Sequence, residues 1–169
     1  MTIKPWNDYF LDMAKTCATR SNCIRAQVGA VIVGEDKKIK ATGYNGTPSK
    51  VVSCMENGEC YRVKNNIQSG TRYETCRSIH AEQNAIAFAA RHGISTVGAT
   101  IYVNTFPCKD CMNSIINSGI TKVVYNSEYD ANLSKSIASN ANIEIIKYEG
   151  RDLETLLYDF GYIEKGKSR

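Results

Sequence analysis

No stretch of this 169-residue chain approaches the roughly 18 consecutive apolar residues of a membrane-spanning helix, and the opening Met-Thr-Ile-Lys-Pro-Trp lacks the apolar block of a secretory leader. These absences predict a soluble protein of the cytoplasm. Disulfides do not persist there, so its seven cysteines call for another explanation. No internal repeat or low-complexity linker divides the chain, and 43% hydrophobic residues suffice for one continuous core, so a single domain over 1–169 is expected. A clustered basic face is missing as well. Lys and Arg are dispersed apart from Lys165, Lys167 and Arg169 in the tail, which argues against nucleic acid as a partner. The net charge of +4 is a mild balance that suits a small phosphate monoester.

What is present alternates between two periodicities. Trp6, Tyr9, Phe10, Met13 and Cys17 fall at helical spacing, an apolar stripe that belongs in a core. Val28 to Val33 and Ile39 to Tyr44 read as strands joined by the polar turn Gly34 to Lys38. Ala99 to Asn104, Lys122 to Asn126 and Ile143 to Tyr148 supply three further strands. Helical segments follow Glu82, Pro107 and Asp130, and Leu153, Leu156, Leu157 and Phe160 mark a closing helix. The order predicts an α/β fold, a mostly parallel five-stranded sheet covered on both faces.

The most informative residues are His80-Ala-Glu82 and, 28 positions after the histidine, Pro107-Cys108-Lys109-Asp110-Cys111. Residues two apart on a helix point roughly 200° from each other, so His80 and Glu82 share a target only from a helix start. Ala85, Ile86, Ala89 and Ala90 continue at helical spacing, and Gly93 stops the segment. Pro107 suits a second helix entry, which places Cys108 and Cys111 on one face of a first turn, with Ile115 and Ile116 at core spacing and Gly119 as the stop. Unpaired N–H groups and the helix dipole favour thiolates there. Taken singly, Cys-x-x-Cys also fits a redox pair or half a structural zinc knuckle, and a glutamate in a first turn also merely complements the dipole. Together they have the H-x-E…P-C-x-x-C spacing of zinc enzymes that replace a nucleobase amino group with oxygen. His80, Cys108 and Cys111 are then ligands of a zinc ion with one open position, and Glu82 is the proton shuttle.

Arg25-Ala-Gln-Val-Gly-Ala30, Gly43-Tyr-Asn-Gly46, His80-Ala-Glu-Gln-Asn-Ala-Ile86 and Pro107-Cys-Lys-Asp-Cys111, in this order, resemble the deoxycytidylate deaminase family within the cytidine deaminase-like superfamily. The resemblance implies a three-layer α/β/α sandwich with a mixed, mostly parallel five-stranded sheet. It implies the hydrolysis of dCMP to dUMP and ammonia, which supplies thymidylate synthesis. It also implies that Arg25 lies near the substrate phosphate, Asn45 bonds the sugar, the Ala81 amide meets the pyrimidine edge and Tyr129 closes over the nucleotide. Each has a plainer counterpart: a surface ion pair for Arg25, a turn pair for Asn45-Gly46, loop packing for Tyr129. Asn84 and Gln83 belong to the same block, with Asn84 placed to support His80 through a hydrogen bond. Many relatives are homohexamers activated by dCTP and inhibited by dTTP, so the resemblance implies an effector site at Gly43, Tyr44 and Gly46, a segment that equally fits a substrate role; dCTP as a further substrate is also open.

The segment 45–75 is long, polar and rich in Gly, Ser and Asn, and an insertion of this size requires an anchor. Cys23, Cys54, Cys60 and Cys76 lie before, within and beside it. The inference drawn is a second, closed structural zinc site, although buried free cysteines are also common. Cys17 falls on the apolar stripe of the first helix. Two other function classes remain: a deaminase of another superfamily branch, acting on a free nucleoside, a base or a tRNA adenosine, and a non-catalytic binding protein associated with DNA uptake. The insertion and Gly-Tyr-Asn-Gly argue against the first, and Glu82 beside an open metal position against the second.

Overall fold

The computed structural model describes residues 3–68, 70–129 and 131–150, so the helix expected around Leu153 to Phe160 lies outside the described residues. The elements run α1 (Trp6–Ala18), β1 (Gly29–Val33), β2 (Ile39–Tyr44), α2 (Tyr61–Lys64), a 3₁₀ turn (Tyr73–Thr75), α3 (Ala81–Arg91), β3 (Thr100–Thr105), α4 (Lys109–Asn117), β4 (Lys122–Ser127), α5 (Asn132–Asn140) and β5 (Glu144–Lys147).

Strand order is β2-β1-β3-β4-β5. β1 pairs antiparallel with both β2 and β3, whereas β3, β4 and β5 pair in parallel. Four strands therefore share one direction and β1 alone opposes them, the mixed sheet of the sequence expectation. β1 is buried along its whole length, which explains why Gly-Ala-Val-Ile-Val shows no alternation of polar residues. Its two faces serve two cores. Val31 and Val33 meet Phe10, Leu11 and Ala14 of α1, together with Tyr102 and Val124. Ala30 and Ile32 meet Ala81, Ala85 and Ala89 of α3, and this second core continues through Met112 and Ile115 of α4 and Ala138 of α5. Each fully buried large apolar side chain, such as Phe10 or Ile115, contributes about 1.5–3 kcal/mol. The three layers are thus α1, the sheet, and the group α3, α4 and α5.

The alanine-rich face of α3 lets the helix sit unusually low on the sheet. A Cβ on Gly43 of β2 would fall 2.2 Å from the Ala81 carbonyl oxygen and 2.6 Å from the Ala85 nitrogen. Only glycine permits that approach. Asn84 Nδ2 adds a 2.8 Å hydrogen bond to the Tyr44 carbonyl, so α3 is fastened to the end of β2. This corrects the expectation that Asn84 supports His80 with its side chain.

Between β2 and α3 the insertion is mostly irregular, with α2 and the 3₁₀ turn as its regular pieces. Gly46 and Ile79 form an isolated antiparallel bridge that brings its two ends together. No described helix is long and apolar enough to cross a membrane.

Candidate metal centre and substrate cavity

Two helix starts converge at one place. His80 precedes α3 in extended conformation, with Glu82 in the first turn, and Cys108 stands at the same position of α4, with Cys111 in its first turn. Pro107 lies one residue earlier, where its carbonyl accepts a 2.8 Å hydrogen bond from Ser134 Oγ of α5. Leaving the chain before the helix proper, the His80 ring reaches across so that Nδ1 lies 3.3 Å from Sγ of Cys108 and 3.3 Å from Sγ of Cys111.

The nitrogen and the two sulfurs all fall within 4.8 Å of one another, the one group of this kind among the described residues. Tetrahedral zinc, with about 2.3 Å to sulfur and 2.0–2.1 Å to nitrogen, holds such atoms about 3.6 Å apart. The triad fits with shifts of a few tenths of an ångström. Its electrostatics suit a cation as well. The hydrogen bond from Cys111, and then His80, draw Cys108 down to about 4, and the same bond pushes Cys111 well up. Against the opposing effect of burial, the Cys108 sulfur and the Glu82 carboxylate raise the His80 imidazole above its ordinary value. These coupled protons are what a divalent cation displaces on binding.

Glu82 is 3% exposed. Burial pushes its carboxyl above the usual carboxylate range, with His80 pulling the other way. A carboxyl raised in this manner exchanges protons more readily near neutral pH than an exposed one.

Beside this triad lies a cavity of about 160 Å³ that opens into a wider groove of about 770 Å³, with Gly70, Tyr73, Ser78, His80, Cys108 and Tyr129 lining both. Arg25, Asn45, Ala81 and Tyr129, the residues expected to hold a substrate, all line the inner cavity. Arg25 donates from Nη2 to the Ile67 carbonyl at 2.9 Å. Asn45 is 7% exposed, and its amide spans the backbone: Oδ1 accepts from Val28 N–H and Nδ2 donates to the Ala26 carbonyl, each at 2.8 Å. Tyr129's hydroxyl is buried without a hydrogen-bond partner among the described residues, and burial, with the Tyr73 hydroxyl nearby, pushes it up strongly. Gly43, Tyr44 and Gly46 line neither space. Gly43 is explained by the close approach of α3, and Gly46 by Asn22, whose Oδ1 would stand 2.6 Å from a Cβ there.

Cys23, Cys54 and Cys60 are buried, Cys76 is half-buried, and all four line the insertion side of the same cavity. Burial first, then Cys60, Cys23 and Cys76 around it, push the Cys54 thiol up. Unlike the triad, no three of their sulfurs lie within 4.8 Å of one another. Cys17 is half-buried on α1 against the α1 core.

Residues 4–127 match the family described as the cytidine and deoxycytidylate deaminase zinc-binding region. The chain belongs to this family. It is 38% identical over 144 residues to a deoxycytidylate deaminase of Schizosaccharomyces pombe, covering 85% of this chain and 44% of the relative, so it spans under half of that protein's length. It is 39% identical over 133 residues to a deoxycytidylate deaminase of Mycobacterium phage D29, covering 76% of this chain and 99% of the relative. Among solved structures, the dCMP deaminase of cyanophage S-TIM5 in complex with dCMP and dUMP superposes with a TM-score of 0.70 at 29% identity, over 87% of this chain and 100% of that one.

For a member of this deaminase family, the sequence reading missed three residues. Tyr73 sets its ring edge against His80, with centroids 4.9 Å apart at 80°. Arg62 of α2 places its guanidinium 5.0 Å from the centre of the Tyr73 ring. Ser78, two residues before His80, lines both spaces. Nothing in their spacing signals this, because irregular chain brings them to the site.

Proposed function

We propose that this protein is a zinc-dependent deaminase that hydrolyses dCMP to dUMP and ammonia. The convergence of His80 Nδ1 with the Cys108 and Cys111 sulfurs beside a buried Glu82 carries the reading. Zinc held by these three ligands supplies a Lewis acid that makes water nucleophilic near neutral pH. Glu82 takes a proton from the attacking water, passes it to the ring nitrogen beside the amino-bearing carbon, and then assists the departure of ammonia. Ala81, first in α3 and bordering the cavity, offers its backbone N–H to the pyrimidine edge. Arg25 faces the phosphate and Asn45 the sugar, and the Asn45 amide fixes the chain at Ala26 and Val28, just before β1, where it borders the cavity. Tyr129 closes the cavity against Gly70, where an added Cβ would lie 3.4 Å from the ring.

The same reading includes a second zinc in a closed structural site made by Cys23, Cys54, Cys60 and Cys76, supported by their gathering around Cys54. Metal analysis tests it: two zinc ions per subunit support the site, and one removes it. The family resemblance further suggests a cytoplasmic homohexamer that feeds thymidylate synthesis and responds to dCTP and dTTP. Sedimentation and dCMP rate curves with each triphosphate test the last two points.

Ammonia release from the purified protein against dCMP, dCTP, CMP, deoxycytidine and guanine is the decisive experiment. Turnover led by dCMP is expected. Silence on dCMP with zinc bound overturns the reading.

A further inference from the structure

Among the buried side-chain polar atoms without a hydrogen-bond partner are Arg62 Nε, Ser78 Oγ and Tyr129 Oη, and all three belong to residues lining the cavity beside Glu82. Such atoms are costly unless a ligand or ordered water meets them. Arg62 stands out because it also brings a charge. It is 5% exposed, and its hydrogen bonds run from Nη2 to the carbonyls of Gln68, at 3.0 Å, and Thr71. Among the described residues no carboxylate forms an ion pair with it. Carbonyl dipoles and the Tyr73 ring soften the burial of this cation but do not neutralise it.

The outer groove offers a contrast. Its cations Arg72 and Lys109 are exposed and already paired, with Glu74 at 3.3 Å and Asp110 at 3.0 Å. The inner cavity has Arg25 and Arg62, which hold neighbouring points of one loop, Ile67 for the first and Gln68 and Thr71 for the second. An anion with several acceptor oxygens satisfies the unpaired charge and the orphaned donors together. Charge-assisted hydrogen bonds from the guanidinium nitrogens that the loop carbonyls leave free, Nε and Nη1, are what Arg62 offers a phosphate.

We propose that Arg62 is a second phosphate-binding residue, acting with Arg25 on the 5′-phosphate, so that the insertion makes the site select a nucleotide over a nucleoside. This rests on the deaminase reading. The rival role for Arg62 is to brace the cysteine cluster, since it lines a smaller cavity together with Cys54, Cys60 and Cys76.

The test compares wild type, R62Q, R62K and R72Q as zinc-loaded proteins. It reads kcat/KM for dCMP and for deoxycytidine, zinc per subunit, and calorimetric affinities for dUMP and deoxyuridine. R62Q is expected to lower the ratio of dCMP to deoxycytidine kcat/KM by about 10- to 100-fold, the loss of charge-assisted hydrogen bonds. KM and dUMP affinity should carry the change, with R62K recovering part of it, and R72Q should move the ratio by less than about threefold. R62K keeps the charge, so it reports on the site even where R62Q fails to fold.

Equal losses for both substrates would mean that Arg62 acts through Tyr73 on His80 and would overturn the proposal. Loss of zinc at an unchanged ratio, or an R72Q effect as large as that of R62Q, overturns it too. A wild type that binds dUMP more tightly than deoxyuridine through Arg62, yet releases no ammonia from dCMP, overturns the deaminase reading and supports this one. Wild type that binds the two equally well overturns the Arg62 role.

Discussion

Replacing Gly43 by alanine should injure catalysis from beneath the catalytic helix. The new Cβ would stand 2.2 Å from the Ala81 carbonyl oxygen, whereas ordinary contact begins near 3.4 Å, so α3 or β2 must yield by about 1.2 Å. The obstacle is backbone on both sides and no side chain can rotate away. Overpacking of this kind costs about 1–3 kcal/mol. In a chain of this length that is roughly 2 to 12 °C in melting temperature. Because His80 immediately precedes α3 and Glu82 lies in its first turn, the displacement passes directly to the triad. Misplacement by about 1 Å lowers turnover by roughly 100-fold. Gly29 supplies the control. A Cβ there would fall 2.0 Å from the Ala14 carbonyl oxygen and 2.5 Å from the Ala18 nitrogen, an equal clash against α1, which carries none of the triad. G29A should therefore lose comparable stability while keeping its kcat, and G43A should lose both. Steady-state kinetics well below each melting transition make the comparison. Equal kcat for the two variants, or a G43A protein as active and as stable as wild type, would refute the claim that helix height on the sheet sets the site.

Glu82→Ala should retain zinc, because all three ligands remain, and lose about 10²- to 10⁴-fold in kcat; zinc lost with the carboxylate would show that Glu82 is itself a ligand. Asn45→Asp cannot donate to the Ala26 carbonyl, so denaturant unfolding should report a loss of about 1–3 kcal/mol, and an unchanged midpoint would remove the bracing role of the amide. Tyr125 donates to Glu128 Oε2 at 3.0 Å, and burial followed by that carboxylate pushes it up to about 12 from the usual 10. A raised value in the fold means stability that is complete below pH 10 and lost as pH climbs through about 12, so alkaline unfolding curves of wild type should fall faster over this window than those of Tyr125→Phe.

The parts of this molecule governed by local rules could be read from the chain. His80 stands just before a helix because only such a position points it and Glu82 at one target, and Cys108 takes the same place in α4 directly after Pro107. Gly93 and Gly119 follow those helices at φ +66° and +76°, as their stop role demands. α1 was readable to within a residue at its end, since its stripe must face Val31, Val33 and Tyr102. Long-range consequences were not readable. Asn84 lies one turn beyond His80, yet its amide reaches Tyr44, forty positions away, because β2 lies under α3. Arg62 occupies an irregular insertion, where no periodicity announces which side chains turn inward. Gly43 carried a resemblance to an effector segment, but its local necessity is steric and visible only when the helix is in place.

A division of labour follows from which backbone bears which residue. The triad and Glu82 stand at the starts of two helices that are packed to the sheet through fully buried residues, Ala81, Ala85, Met112 and Ile115 among them. Their geometry is therefore set by the core and costs the core's stability to disturb. The opposing wall, with Arg62, Gly70 and Tyr73, comes from the insertion, whose regular pieces span four and three residues. Such a segment cannot hold itself by secondary structure, so it is held by side chains: Arg25 and Arg62 on its carbonyls and Tyr73 against His80. Arg25, Arg62 and Tyr73 among those tethers also line the inner cavity. On the proposed reading, ordering the insertion and recognising the nucleotide draw on the same two arginines, and a ligand that engages them should alter the hold on the loop as it binds. Changes in the insertion should accordingly alter substrate choice while leaving the chemistry at the helix starts intact.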